Sequence, residues 1–255
     1  MTAEPLRSAL LPATHGFFTR RGGVSIGPYA ALNCSLSGAD APAAVAENRA
    51  RAAGALGLAP AGLVGLNQVH GTAVVVVDAP WPAGAGPRAD AMVTDRPGVG
   101  LGIITADCAP VLLADPAAGV VGAAHAGWRG AVAGVIEATV AAMVTLGARA
   151  ERIAAVVGPC IGQASYEVGP DLRAALLAAD AEGARFLAPG RRADRWQFDL
   201  SGYCLARLRA AEVGTVEALA ADTAADAERF FSHRRRTLGD GGPIGHQISI
   251  VALGG

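Results

Sequence analysis

Short apolar runs alternate with helical patterns along the chain. Seven runs rich in Val, Ile and Ala are bordered by Gly, Pro or Asp, which is the pattern of buried β-strands. These predicted strands are Ala73–Asp78, Val99–Thr105, Val111–Asp115, Val120–Ala124, Ile153–Val157, Trp196–Phe198 and Gln247–Ala252. Each run is too short for a buried helix, so strand is the better interpretation.

Four segments between these runs have helical character. The predicted helices are Pro42–Leu56, Ala131–Leu146, Pro170–Ala179 and Ser201–Ala211. Asp40 and Pro42 are start signals for the first helix, and Gly57 is its stop signal. The second segment is strongly apolar and ends at Gly147, which predicts one continuous and largely buried helix.

The order of the elements indicates the fold class. Three predicted strands fall between Val99 and Ala124, which fits hairpins better than alternating βαβ crossovers. We therefore expect an α+β fold with mixed β-sheets flanked by helices. The Pro/Gly-rich loop Ala79–Arg88 is too short to separate domains, so residues 1–255 are expected to form a single domain.

Composition narrows the function classes. Hydrophobic residues make up 52% of the chain and charged residues 17%, which excludes disorder as the dominant state. There is no lysine, which excludes a Schiff-base lysine and a P-loop lysine. A net charge of -1 without a long basic run argues against nucleic acid as a partner. No apolar stretch approaches the roughly 20 residues of a membrane span.

Cysteine usage predicts the compartment. Cys34, Cys108, Cys160 and Cys204 are widely spaced and form no CxxC pair, so a disulfide framework is not expected. The first sixteen residues make a poor signal peptide, because an acid lies near the start and proline interrupts the apolar run. We therefore expect a cytoplasmic protein with free thiols.

Three loops next to predicted strands carry the candidate chemistry. They contain His70, Cys108 and His125, which lie 38 and 17 residues apart. Two imidazoles and a thiolate form a coherent zinc ligand set that leaves a fourth position open, as catalytic zinc requires. The spacing leaves two alternatives: a metal-free Cys–His nucleophile, or a buried thiol with two hydrogen-bonded loop histidines.

Several longer motifs resemble one known family. The segment HGFFTRRGGVS begins at His15, and NQVHG, TADCAPVLL, AAHAGWRG, GPCIG with YEVG, and FFSHRR follow in order up to Gln247. These motifs are similar to those of the bacterial multicopper polyphenol oxidase family, also described as the laccase-domain, purine nucleoside phosphorylase or peptidoglycan-editing-factor family. The resemblance covers nearly the whole chain.

This resemblance implies a ligand set and a range of activities. It makes His70, Cys108 and His125 the ligands of a catalytic zinc, with copper as the alternative metal, and gives them the catalytic role. It implies phosphorolysis of adenosine, inosine and methylthioadenosine, with deamination of adenosine. An amidase that edits peptidoglycan precursors is the second hypothesis. A copper phenol oxidase ranks last, because five histidines are few for several copper centres.

Phosphorolysis requires a cationic or N–H-rich site for inorganic phosphate. Arg129 is the first candidate because it lies four residues from His125, and Arg20 and Arg234 are further candidates. Asn33 and Gln68 are expected either to bind the base or ribose or to fix loops.

The sequence does not decide the role of several other residues. Asp107 is a candidate proton shuttle or partner of a ligand imidazole, and Cys160 is more simply a packing residue. The chain departs from the family pattern at Asp222, His233 and near His246, where relatives commonly carry Cys, Tyr and Arg. These departures concern substrate preference rather than the three ligands. The oligomeric state is left open.

Overall fold

Residues 3–254 are described by the computed structural model, and they form fourteen strands and six α-helices. The strands are β1 (Pro5–Leu6), β2 (Thr14–Phe18), β3 (Leu63–Gly65), β4 (Val74–Val76), β5 (Ala91–Thr94), β6 (Gly100–Thr105), β7 (Ala109–Asp115), β8 (Val120–Ala126), β9 (Ala154–Val157), β10 (Glu167–Val168), β11 (Leu187–Pro189), β12 (Trp196–Phe198), β13 (Thr215–Ala218) and β14 (Gln247–Ala252). The helices are α1 (Pro42–Gly54), α2 (Trp128–Ala133), α3 (Val135–Thr145), α4 (Pro170–Ala179), α5 (Leu200–Ala210) and α6 (His233–Leu238). Within this part of the chain, no helix has the length and apolar character needed to cross a membrane.

The strands form three sheets. A five-stranded sheet has the order β1-β2-β14-β6-β3, and a six-stranded sheet has the order β13-β9-β7-β8-β5-β4. A small sheet consists of β10-β12-β11. Both large sheets are mixed, since β3 runs parallel to β6 and β4 parallel to β5 among antiparallel neighbours. The predicted α+β class with mixed sheets and flanking helices is confirmed.

The two large sheets pack face to face, and helices cover their outer faces. In β7, Leu112 and Ala114 pack into the core between the sheets, while Val111 and Leu113 pack into the core under the helices. This two-residue alternation buries both faces of the strand. On the other side of the molecule, α1 packs on the outer face of the five-stranded sheet through residues such as Ala52.

Two details of the predicted elements are wrong. The segment Ala131–Leu146 is not one helix, because Gly134 adopts a left-handed conformation (φ 102°) between α2 and α3. The strand at 99–105 does not join the hairpin that follows it: β7 and β8 pair with each other, whereas β6 pairs with β14 and β3 in the other sheet. The chain therefore crosses from one large sheet to the other between Thr105 and Ala109.

Candidate metal centre

Side chains of His70, Cys108 and His125 converge at one end of the two sheets. Their ligand atoms all lie within 4.8 Å of one another, and Cys108 Sγ is 3.8 Å from His70 Nε2. The two imidazole rings meet edge to face, with 4.8 Å between their centroids. The fold thus brings together three residues that are far apart in the sequence.

Cys108 lies in the tight connection that crosses from β6 to β7. The preceding Asp107 has a left-handed backbone (φ 91°), which non-glycine residues adopt only under constraint. That constraint comes from its buried carboxylate, which accepts hydrogen bonds from the hydroxyls of Thr223 (2.7 Å) and Ser232 (2.9 Å) and from the Arg234 N–H (2.6 Å). Asp107 therefore fixes the turn that presents Cys108, and it does not contact either imidazole.

Asp90, directly before β5, holds both histidines. Its fully buried carboxylate accepts a 2.8 Å hydrogen bond from His125 Nδ1. The same carboxylate accepts the backbone N–H of His70 at 2.8 Å and that of Gly71 at 2.7 Å. These bonds fix the left-handed backbone of His70 (φ 62°) and leave His125 Nε2 free to face Cys108.

The absence of a side chain at Gly127 allows the ligands to approach. A Cβ at this position would lie 2.8 Å from His70 Cδ2 and 3.0 Å from Cys108 Sγ, closer than packed carbon atoms come. Gly127 precedes α2 with an ordinary φ of -68°, so its role is steric rather than conformational.

The electrostatics favour a thiolate at Cys108. Burial alone raises the pKa of this thiol, but the His125 and His70 imidazoles more than offset burial and bring the pKa to about 6. Burial disfavours the charged form of His125, yet Cys108 and Asp90 raise its pKa to about 9. By contrast, burial raises the pKa of Cys34 and of Cys160 to about 12. Cys108 is thus the cysteine suited to ligation or attack.

The donor set and its spacing fit a first-row metal ion such as zinc or copper. Zinc binds imidazole nitrogen at about 2.0 Å and thiolate sulfur at about 2.3 Å, so two tetrahedral ligands lie roughly 3.6 Å apart. The 3.8 Å between Cys108 and His70 is close to that separation. The buried Asp90–His125 pair also supplies the outer carboxylate partner that metal-bound histidines usually have.

A cavity of about 720 Å³ opens beside the three ligand atoms, a volume typical of small-molecule sites. Two aromatic rings line it, and each has an arginine stacked on it. The Arg129 guanidinium lies 4.4 Å from the Trp128 ring centroid, and that of Arg234 lies 5.4 Å from the Tyr166 centroid. The cavity therefore offers both cationic groups and flat apolar faces.

The other predicted binding residues divide into two groups. Arg129, Arg234 and Gln68 line the cavity, but both ends of the Gln68 amide are bonded to the Ile104 backbone. Arg20 and Asn33 lie outside the cavity lining. Arg20 donates to the carbonyl of Ala30, and buried Asn33 fixes surrounding loops.

The structure also shows where the residues of undecided role lie. His233 and His246 line the cavity without joining the three-ligand group. Cys160 is packed in the core, and Asp222 accepts a hydrogen bond from the Ser165 hydroxyl. Sequence reasoning missed Asp90, whose one signal was an acid directly before the apolar run of β5.

Comparison with known proteins assigns the family. A family model described as multi-copper polyphenol oxidoreductase laccase matches residues 14–254. Purine nucleoside phosphorylase from Deinococcus radiodurans is 48% identical over 251 residues, spanning 97% of this chain and 92% of that protein. A purine nucleoside phosphorylase from Streptomyces griseus is 47% identical over 233 residues, spanning 89% and 92%.

A solved structure agrees with this assignment. The crystal structure of the hypothetical protein YfiH from Bacillus licheniformis superimposes with a TM-score of 0.87 at 29% identity, covering 94% of this chain and 92% of that one. Since the family model spans almost all of the residues that build the two sheets and the three-ligand centre, the chain belongs to the multi-copper polyphenol oxidoreductase laccase family.

Proposed function

We propose that this protein is a zinc-dependent purine nucleoside phosphorylase that also phosphorolyses methylthioadenosine and deaminates adenosine. The observation that carries the proposal is the open His70–Cys108–His125 group on the wall of a nucleoside-sized cavity lined by arginine and aromatic side chains. The similar Deinococcus and Streptomyces proteins are named purine nucleoside phosphorylases, which supports the phosphorylase part of the proposal. Purine nucleosides and inorganic phosphate would be the small-molecule partners.

The residues have distinct tasks in this proposal. In phosphorolysis a phosphate oxygen bonds to the ribose anomeric carbon while the bond from that carbon to the base nitrogen breaks, and the base leaves with the electron pair and takes up a proton. Arg129 and Arg234 would donate hydrogen bonds to the substrates, and Trp128 and Tyr166 would pack on the purine. A zinc ion at the three ligands would supply a Lewis acid.

The test is product identification. Purified protein incubated with inosine and phosphate is expected to release hypoxanthine and ribose 1-phosphate, and adenosine without phosphate is expected to give inosine. Cys108→Ala should lose both reactions. Cys204→Ala is the matched control, because this thiol is packed in the core away from the cavity lining. Full turnover by Cys108→Ala would remove Cys108 from the mechanism.

A second candidate, an amidase acting on peptidoglycan precursors, has one observation in its favour. The pKa of the Cys108 thiol is lowered to about 6 and that of the adjacent His125 is raised to about 9, which favours the thiolate and the imidazolium of a cysteine nucleophile.

Alkylation across pH separates the two candidates. With metal removed, iodoacetamide should label Cys108 with a midpoint near pH 6, since the thiolate fraction rises with pH through a pKa of about 6. With zinc bound, the thiol should be protected. Equal labelling before and after chelation would favour the metal-free amidase.

Copper-dependent phenol oxidation is the remaining family activity. The thiolate and imidazole donors also suit copper, so the metal in the native protein has to be measured rather than assumed. Phenol oxidation that appears only after copper loading would assign that activity to the copper form.

We also propose a cytoplasmic location. All four cysteines are free thiols, and Cys34, Cys160 and Cys204 are buried. Free thiols are typical of a reducing compartment.

A further inference from the structure

Three buried polar atoms on the cavity wall have no hydrogen-bond partner among residues 3–254. They are Arg49 Nη2, Thr105 Oγ1 and His246 Nδ1. Thr105 lies in β6 and His246 directly precedes β14, so these groups belong to the five-stranded sheet and its covering layer, whereas Asp90 and His125 belong to the six-stranded sheet. Buried polar groups nearly always have a hydrogen-bond partner. Three unpaired polar atoms on the wall of one cavity therefore indicate that a bound ligand supplies their hydrogen-bond partners.

Arg49 is the most unusual of the three. It projects from α1 and is only 7% exposed, yet it lines the cavity. Nη1 donates a 3.3 Å hydrogen bond to the Cys34 carbonyl, and Nη2 has no partner. Gly65 lies beside this atom, and a Cβ there would lie 3.5 Å from Nη2, so glycine backbone rather than a side chain packs against this side of the guanidinium.

No carboxylate within residues 3–254 forms an ion pair with Arg49. Burial lowers the pKa of the guanidinium, and Cys34, whose own thiol is held neutral by burial, is the other group that acts on it. An arginine stays protonated nonetheless. A buried cation without a counter-charge is costly and is normally neutralised by an anion.

We infer that Arg49 forms an oxyanion subsite at the end of the cavity away from His70, Cys108 and His125. Gly65, beside Arg49, pairs with Gly102 in β6, and the three residues from Gly102 to Thr105 span about 10 Å along the strand. Arg129, by contrast, is exposed and lies four residues from a metal ligand. The Arg49 subsite is therefore separate from the arginines beside the metal centre.

The oxyanion has two chemical sources. It is inorganic phosphate if the protein is a phosphorylase, so this assignment of phosphate rests on the proposed function. A purine held at the metal centre would then extend its ribose toward Arg49, which places phosphate next to the anomeric carbon. It is a substrate carboxylate if the protein is an amidase. A binding measurement tests the subsite in either case, because it does not depend on turnover.

Calorimetric titration of the purified protein with inorganic phosphate, and separately with acetate, tests the inference. Arg49→Met should weaken phosphate binding by about 10- to 100-fold, the loss expected for charge-assisted hydrogen bonds. Arg51→Met, on the same helix but outside the cavity lining, is the matched control and should change the affinity by less than about threefold. Tighter acetate than phosphate binding, lost in Arg49→Met, would support a carboxylate as the natural oxyanion.

Stability separates a binding role from a structural one. Without phosphate, Arg49→Met should melt at the wild-type temperature or above, because it removes an uncompensated buried charge. Phosphate should raise the melting temperature of the wild type and leave that of Arg49→Met unchanged. If Arg49→Met fails to fold, Arg49→Lys replaces it and should still weaken phosphate binding by losing the guanidinium geometry. Wild-type phosphate affinity in either variant would overturn the inference.

Discussion

At the scale of single residues, one carboxylate links two of the three candidate ligands. Asp90 accepts a hydrogen bond from the His125 ring and another from the His70 backbone, and it also accepts the N–H of Gly71. Burial opposes the charge, but these bonds hold the pKa of Asp90 below its ordinary value. The orientation of both imidazoles therefore depends on a residue that does not itself face the metal position.

Asp90→Asn should reduce metal affinity by about 10- to 100-fold, the usual cost of losing an outer-shell carboxylate. The amide carries no charge to orient His125 and can accept fewer of the N–H bonds. Competition with a fluorescent zinc chelator measures the change. Asp115→Asn is the control: that carboxylate is also buried, and it binds Arg152 outside the cavity lining. The control should lose stability and keep its zinc affinity; the reverse pattern would contradict the role of Asp90.

Gly127→Ala should abolish metal binding with little loss of stability. The added methyl group would overlap His70 Cδ2 and Cys108 Sγ, while the backbone at φ -68° suits alanine. Zinc content and the urea unfolding midpoint are the measurements. Gly54→Ala, whose Cβ would meet nothing within 4 Å, is the control and should retain both. A Gly127→Ala protein with full zinc content would show that the ligands do not approach this closely.

At the scale of elements, the sequence predicts the exact bounds of some strands and helices. Trp196–Phe198 and Gln247–Ala252 match β12 and β14 residue for residue, and Pro170–Ala179 matches α4. Very short strands such as β1 and β10 were missed, because two residues carry no periodicity.

The continuous helix predicted over Ala131–Leu146 failed for a local reason. Both halves are apolar and helical, but the left-handed conformation of Gly134 turns the chain between them. An internal glycine alone does not distinguish a tolerated residue from a break, so the pattern could not locate the end of α2.

Gly134→Ala should therefore destabilise the protein by about 1–2 kcal/mol, the cost of placing a side chain in a left-handed conformation. Space is not the cause, since the nearest atom to the added Cβ would be a Glu137 oxygen at 3.5 Å. Urea unfolding monitored by circular dichroism measures the difference. An increase in stability would mean instead that α2 and α3 join into one helix.

At the scale of the whole molecule, the candidate site lies where the two large sheets meet. The turn carrying Cys108 crosses between them, and both the candidate metal centre and Arg49 line the cavity. The motifs predict the three candidate ligands because each motif is local. They could not reveal Asp90, which is 35 residues from His125 in the sequence. They could not reveal Arg49 either, because its buried and unpaired Nη2 is visible only in the folded structure.

We propose that His70, Cys108 and His125 hold a metal on which inosine phosphorolysis depends. The most direct measurement is metal content together with turnover, before chelation, after chelation and after zinc is restored. We predict about one zinc per chain, loss of phosphorolysis on chelation with the fold retained, recovery with zinc, and no bound zinc in Cys108→Ala. Undiminished phosphorolysis by fully metal-free protein would contradict the claim.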